Sequence, residues 1–327
     1  MGLPLRTRPT GFRCWLRGSV AEAPQVEIAG FVWTLDPSTD VGRAVLAASR
    51  RLREAGVDSP QLDSALLMAH VLGVSKAWLY AHPDRKMTPQ EIADFEALVG
   101  RRMRREPVAY LVGYRSFYGI DITVDPRVLI PRPESEMLVE RALAWAQTLI
   151  RQGEHPRVVD VGTGSGAIAI AIAVNAPEAV IYGTDVSQDA LDVAAQNVWR
   201  YALGKQVRLM EGDLLDALPE PVDIVVANLP YVASGDLPGL AADVRNFEPT
   251  LALDGGPDGL DEIRALFAAL ARPAGLARLR LGARLCLEIG ADQGDAARAI
   301  AESAFPEAHV EVQVDHAGLD RLLVVET

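Results

Sequence analysis

Two rhythms of apolar and polar residues divide the chain. Over residues 41–113 the spacing is helical. TPQE at 88–91 offers Thr88 as N-cap, Pro89 at the first helical position and Glu91 three residues on, a capping box. Ile92, Phe95, Leu98 and Met103 then share one face, which predicts a helix over 89–105 that packs inward on that side. Ser59-Pro60 opens another helix, through Leu62, Leu66, Ala69 and Leu72, until Gly73. A small helical bundle is expected. FYGIDITV then alternates Ile120, Ile122 and Val124 with polar neighbours, as a hairpin strand does, and Pro126, Pro131 and Pro133 exclude regular helix. Residues 114–132 read as a stiff connector lying against the next domain. Beyond it come short apolar runs at strand-and-helix intervals: VVDVG at 158–162, VIYGTD at 180–185, VRLMEGD at 207–213, DIVVAN at 223–228 and RLCLEIG at 284–290. Strands this apolar imply a parallel sheet covered on both faces. HVEVQVD at 309–315 and RLLVVE at 321–326 imply an antiparallel edge.

Composition narrows the classes. With 327 residues, 49% hydrophobic and 23% charged, the chain suits two globular units. Its longest apolar run, near 167–174, stops at Asn175, too short to span a bilayer. A net charge of −12 argues against sequence-independent nucleic-acid binding, which needs Lys and Arg to displace phosphate counterions. Cys14 and Cys286 are too few and too far apart for a disulfide framework or a metal cluster, so no metal is expected and a reducing cytoplasm fits. Residues 1–40 read as an atypical, disordered extension, because Arg6, Arg8, Arg13 and Arg17 stand in the first twenty positions without an acid.

Candidate chemistry gathers at strand ends. Gly162-Thr163-Gly164-Ser165-Gly166 follows a strand and opens a helix, where backbone N–H groups favour a polar or anionic ligand. The spacing is G-x-G-x-G, not the G-x-G-x-x-G of a dinucleotide site. The second strand ends at Asp185, where an acid can accept from ribose hydroxyls, and the third at Asp213-Leu214, where an acid and an apolar side chain can meet an adenine edge. Three such ends on one sheet edge point to one nucleoside site.

These residues resemble the class I S-adenosylmethionine-dependent methyltransferases, whose first strand, glycine turn and acidic second strand end look like DVGTGSG and TD here, over residues 133–327. The resemblance implies S-adenosylmethionine at Gly162, Thr163, Gly164, Ser165, Gly166, Asp185, Asp213, Leu214 and the adjoining Asn228. The fourth strand ends in NLPY at 228–231. The side-chain carbonyl of Asn228 and the main-chain carbonyl of Leu229 can accept both protons of an –NH₂ group, Pro230 can fix the turn, and Tyr231 can stack on the group's planar face. Methyltransferases acting on planar –NH₂ groups typically carry [Asn/Asp/Ser]-Pro-Pro-[Tyr/Phe] here, so Leu229 departs from the pattern. NLPY alone leaves adenine N6 and a glutamine amide open.

VLIPRPESEMLVE at 128–140 is similar to the LIPRPETE signature of the HemK/PrmC family of release factor glutamine methyltransferases, with Ser135 where Thr is usual. EPVAYLVGYRSFYGIDITV at 106–124, FEPTLALDGGPDGLDEIRAL at 247–266 and DHAGLDRLLVV at 315–325 resemble its other segments, so the match spans 41–327. The resemblance implies N5-methylation of the glutamine in the Gly-Gly-Gln motif of peptide chain release factors, and hence a part in translation termination. It implies a helical docking domain at 41–113, substrate contacts at Pro131, Arg132, Pro133 and Glu134 besides NLPY, and a cytoplasmic monomer. Ribosomal-protein glutamine and ribosomal RNA adenine remain the alternative acceptors.

Overall fold

The computed structural model describes residues 34–327, of which 35–327 form one compact unit. The expectations for Cys14, the four N-terminal arginines and most of the 1–40 extension lie outside the described residues.

The chain begins with five helices: α1 (Val41–Glu54), α2 (Pro60–Leu72), α3 (Lys76–Ala81), α4 (Pro89–Met103) and α5 (Val108–Val112). Thr88 and Glu91 form the expected capping box, and Gly73 ends α2 in the left-handed conformation. The inward faces differ from the apolar pattern. In α4 they are Ile92, Phe95, Val99 and Arg102, with Leu98 and Met103 only half-buried; in α2, Leu62 is exposed while Asp63, Ala65 and Met68 are buried. The cause is an ion pair that hydrophobic spacing cannot reveal. Arg102 Nε donates to Asp63 Oδ2 at 2.7 Å with both side chains almost fully enclosed, and pairing is what makes such burial tolerable. Arg102 and Arg105 also reach Asp243, at 3.4 and 3.3 Å, tying this bundle to α9 (Ala242–Phe247).

The hairpin follows as β1 (Tyr114–Phe117) and β2 (Ile120–Thr123), paired antiparallel. It lies against α8 (Gln188–Arg200): Thr123 N–H donates to Asn197 Oδ1, and Asn197 Nδ2 returns a bond to the Thr123 carbonyl. The prolines carry the chain through a 3-10 turn at Pro133–Ser135 into α6 (Glu136–Arg151).

The remaining strands are β3 (Arg157–Val161), β4 (Val180–Asp185), β5 (Val207–Glu211), β6 (Val222–Ala227), β7 (Leu279–Glu288), β8 (His309–Val314) and β9 (Asp320–Glu326). They form one sheet in the order β5-β4-β3-β6-β7-β9-β8; β3 to β7 run parallel and β9 opposes both its neighbours. This is the class I methyltransferase arrangement, parallel with an antiparallel edge. Alternate side chains serve opposite faces. Val158, Ile181 and Ile224 meet α6, α7 (Ala167–Asn175) and α8, whereas Val159, Tyr182 and Val225 meet α10 (Asp261–Leu270) and α12 (Gly294–Ala304). A short α11 (Pro273–Leu276) leads into β7.

The strand order reverses at β3. From there the chain goes outward through β4 to β5, then returns to β6 on the other side, leaving a crevice beyond the carboxyl ends of β3 and β6. The glycine turn follows β3 and NLPY follows β6, so topology sets these two segments side by side.

Candidate functional site

A cavity of about 270 Å³ opens at that crevice. Its wall includes Gly162, Thr163, Gly164 and Ser165 after β3, Asp185 at the end of β4, Asp213 and Leu214 after β5, and Asn228, Leu229 and Pro230 after β6. Pro131 and Ser135 of the connector join them, with Phe117 of the hairpin and Pro249, Leu251 and Ala252 of the segment after α9. The structure therefore brings most of the expected residues to one place. Gly166 instead caps α7, and Tyr231, Arg132, Pro133 and Glu134 are not among the lining residues. Arg132 pairs with the buried Glu248 at 2.5 Å, whose other oxygen accepts the Ile130 N–H at 3.1 Å. That bond fastens the proline connector to the segment bordering the cavity mouth.

On the glycine-turn side, hydrogen bonds set the backbone. Thr163 N–H donates to the Thr184 carbonyl at 2.9 Å, and its hydroxyl donates to Asp160 Oδ2 at 2.7 Å. Asp185 takes the Gly164 N–H on one oxygen and the Ser187 N–H on the other, leaving further lone pairs for hydroxyl donors. Burial raises its carboxyl above the usual range, against those backbone bonds. Leu214 holds a left-handed backbone, φ 48°, with its carbonyl fixed by the Thr184 hydroxyl at 2.8 Å.

Asp160 is fully buried, and among the described residues its Oδ1 has no hydrogen-bond partner. Burial pushes its carboxyl up to about 7, against the Thr163 and Ala169 bonds. A buried acceptor without a donor is costly unless a ligand or water supplies one. The sign of its pH effect follows. Below about pH 3.8 the carboxyl is protonated in both folded and unfolded chains; as pH rises toward about 7 only the unfolded chain ionises, so this group lowers stability across that window. The ligand-free protein should lose Tm between those values, and Asp160→Asn should flatten part of the fall; an identical Tm profile for both would refute it.

On the other side, Asn228 projects from the end of β6. Its Nδ2 donates to Ser135 Oγ at 2.9 Å, and among the described residues no donor reaches its Oδ1. The Ser135 hydroxyl donates to Glu288 Oε2 at 2.6 Å, and the Tyr231 hydroxyl to Glu288 Oε1 at 3.1 Å. Burial holds Glu288 above the carboxylate range, opposed by those two hydroxyls and by Arg321; burial and Glu288 together hold the Tyr231 phenol well above its own. Leu229 turns its side chain inward onto the glycine turn, so a β-carbon on Gly162 would come within 3.2 Å of its Cδ2. Its main-chain carbonyl is what it can offer a ligand.

DGGPDG at 254–259 backs this loop. Val232 N–H donates to the Leu253 carbonyl at 3.0 Å, Gly255 N–H to Val232 at 2.8 Å and Ser234 N–H to Gly256 at 2.8 Å, a short parallel bridge. Gln293 Nε2 donates to the Tyr231 carbonyl at 2.9 Å and to that of Gly259 at 3.3 Å. Sequence reasoning missed Glu288, Gln293 and Glu262, the last of which lines the cavity beside Asp213. Glu288 left a signal: an acid next to Leu285, Cys286, Leu287 and Ile289, where a charge is rarely buried without partners.

The arrangement can seat a polar, hydroxyl-bearing ligand along the glycine turn and present an acceptor carbonyl to an –NH₂ donor beside it. Residues 43–113 match the PrmC N-terminal domain, and 139–233 match the ribosomal protein L11 methyltransferase (PrmA) family. A curated release factor glutamine methyltransferase of Moorella thermoacetica is 40% identical over 280 residues, 85% of this chain and 95% of that protein. One from Bordetella pertussis is 44% identical over 268 residues, 80% of this chain and 93% of that protein. With 40% and 44% identity over most of this chain and of those proteins, the chain belongs to the release factor glutamine methyltransferase family.

Proposed function

We propose that the protein transfers the methyl group of S-adenosylmethionine to the side-chain amide nitrogen of the glutamine in a release factor's Gly-Gly-Gln motif. The observation that carries this reading is the unengaged Oδ1 of Asn228 on the wall of a cavity built from the glycine turn and Asp185. The residues fit the cofactor. Gly162 to Gly166 and Asp185 would hold its methionyl and ribose parts, and Asp213 and Leu214 its adenine, at the polar end of the cavity. When bound, it supplies an electrophilic methyl that already carries its leaving group.

The chain's own part is orientation. An amide nitrogen is a poor nucleophile because its lone pair is delocalised into the carbonyl. Asn228 Oδ1 and the Leu229 carbonyl would accept hydrogen bonds from the two amide N–H groups, restrain the nitrogen and stabilise the positive charge that develops on it; as the methyl–sulfur bond breaks and the thioether leaves, the nitrogen would shed one proton to water. Pro230 fixes the turn. Tyr231, pinned through its hydroxyl, would offer its ring to the amide plane. Pro131 lines the cavity, and Arg132, Pro133 and Glu134, which follow it in sequence, would contact the substrate. The helices of residues 41–113 would dock the release factor, 114–132 would connect, and 133–327 would carry out transfer. A cytoplasmic monomer acting on this one protein partner belongs to the same proposal; among the described residues no helix is long and apolar enough to cross a membrane.

The match of residues 139–233 to a ribosomal-protein methyltransferase family makes ribosomal protein the control acceptor. Purified protein incubated with methyl-labelled S-adenosylmethionine should label a release factor and leave its Gly-Gly-Ala variant unlabelled. Label that persists in that variant, or that appears only on ribosomal protein or RNA, contradicts the reading.

A further inference from the structure

We propose that Ser135 and Glu288 are positioning residues that decide which end of the Asn228 amide faces the cavity, an inference that rests on the methyl-transfer reading above. An Asn side chain has nearly the same shape with its oxygen and NH₂ exchanged, so the neighbours must break the tie. Ionised, Glu288 has only acceptors, and it takes one hydroxyl proton on each oxygen, from Ser135 at 2.6 Å and from Tyr231 at 3.1 Å. The single proton of Ser135 is thereby committed, and its Oγ turns only lone pairs toward Asn228. Those lone pairs accept the NH₂ end, at 2.9 Å, and Oδ1 is left facing away. Ionised Glu288 at the end of β7 would thus dictate, through one hydroxyl, that the cavity wall carries an acceptor. The reversed amide would set NH₂ against the acceptor's NH₂ and reject it.

Sequence distance hides this relay. Asn228 ends β6, Glu288 ends β7, and Ser135 closes the 3-10 turn that the proline connector delivers. Ser135 is itself buried, which strengthens the hydrogen bonds it makes. The relay also depends on the charge state of Glu288, which faces Ser135, Tyr231, Arg321 and Glu134, with Cys286 on its own strand. Once protonated, Glu288 no longer holds the Ser135 proton, and that hydroxyl can donate to Asn228 Oδ1 and stabilise the wrong orientation. Burial places this titration above the ordinary carboxylate range. Turnover should therefore fall on the acid side as Glu288 takes up its proton.

The test measures kcat and KM for a release factor, the Kd of S-adenosylmethionine and Tm in wild type, Ser135→Ala, Ser135→Thr, Glu288→Gln and Asn228→Ala. Ser135→Ala should lower kcat on the order of 10- to 100-fold with the cofactor Kd unchanged, since loss of orientation acts on the transition state. Ser135→Thr keeps the hydroxyl and should restore most of the rate, and Glu288→Gln should abolish the acid limb of the pH profile. Wild-type kcat in Ser135→Ala, with Asn228→Ala inactive, overturns the relay and leaves the methyl-transfer reading intact. So does a Ser135→Thr variant as slow as Ser135→Ala. If Asn228→Ala retains full activity, the reading falls and takes the relay with it. Should Ser135→Ala fail to fold, the acid limb decides: its survival in Glu288→Gln refutes the proposal.

Discussion

Asn228→Ala should lower kcat for release factor methylation on the order of 10²- to 10³-fold, while the Kd of S-adenosylmethionine changes by less than about threefold. The split follows from where the side chain points. Its Nδ2 is tied to Ser135, no donor among the described residues reaches its Oδ1, and the residue lines the cavity, so truncation would remove an acceptor for the methyl-receiving nitrogen. The glycine turn and Asp185 are held by bonds of their own, to Thr184, Gly164 and Ser187, and do not depend on Asn228. Steady-state kinetics with the release factor, set beside calorimetry with the cofactor, separates the two effects. A comparable loss in both would mean that Asn228 holds the cofactor and does not orient the amide.

Gly259→Ala should lower stability by about 2–5 kcal/mol and disable the acceptor loop even where the chain still folds. Two independent penalties meet at this position. Its φ of +75° lies in the left-handed region, which a β-carbon disfavours. The added carbon would also overlap the Tyr231 carbonyl oxygen and come within 2.6 Å of Gln293 Nε2, the atom that bonds that same carbonyl. Relief requires the Pro230-Tyr231 backbone or the Gln293 amide to move, and both are part of the wall behind Asn228. Gly100→Ala is the control: that glycine lies inside α4 with open space around its Cα, and alanine there should add about 0.5–1 kcal/mol. Thermal melts of the two variants should shift in opposite directions. Equal shifts would show that the cost comes from the alanine and not from the crowded loop.

The sheet was legible because its strands are buried on both faces and read as dense apolar runs; DIVVAN and RLCLEIG lie near the positions the periodicity suggests. The cavity lining was legible for a related reason. Strand-end residues in an open parallel sheet have only one edge at which to converge, so DVGTG, TD, GDL and NLPY were read as neighbours without coordinates. What escaped was polar and buried. Asp63 and Arg102 look like solvated positions until each is seen to satisfy the other. Ser135 and Glu288 are 153 residues apart, and no local spacing reports a bond of that span. DGGPDG looked like a turn cluster by composition, yet Gly255 and Gly259 are small because the Pro230-Tyr231 backbone passes against them.

The contact between Leu229 and Gly162 has an evolutionary consequence. Leu229 fills the space above a glycine whose φ is +69°, so the turn tolerates no side chain of its own and borrows one from the acceptor loop. A proline at 229 would stiffen that loop but cover the glycine less fully, leaving a gap that Gly162 cannot fill by enlarging. The two positions therefore cannot drift independently. Enlarging Gly162 would crowd Leu229, and shortening the side chain at 229 would uncover the turn, so each position limits what the other can become.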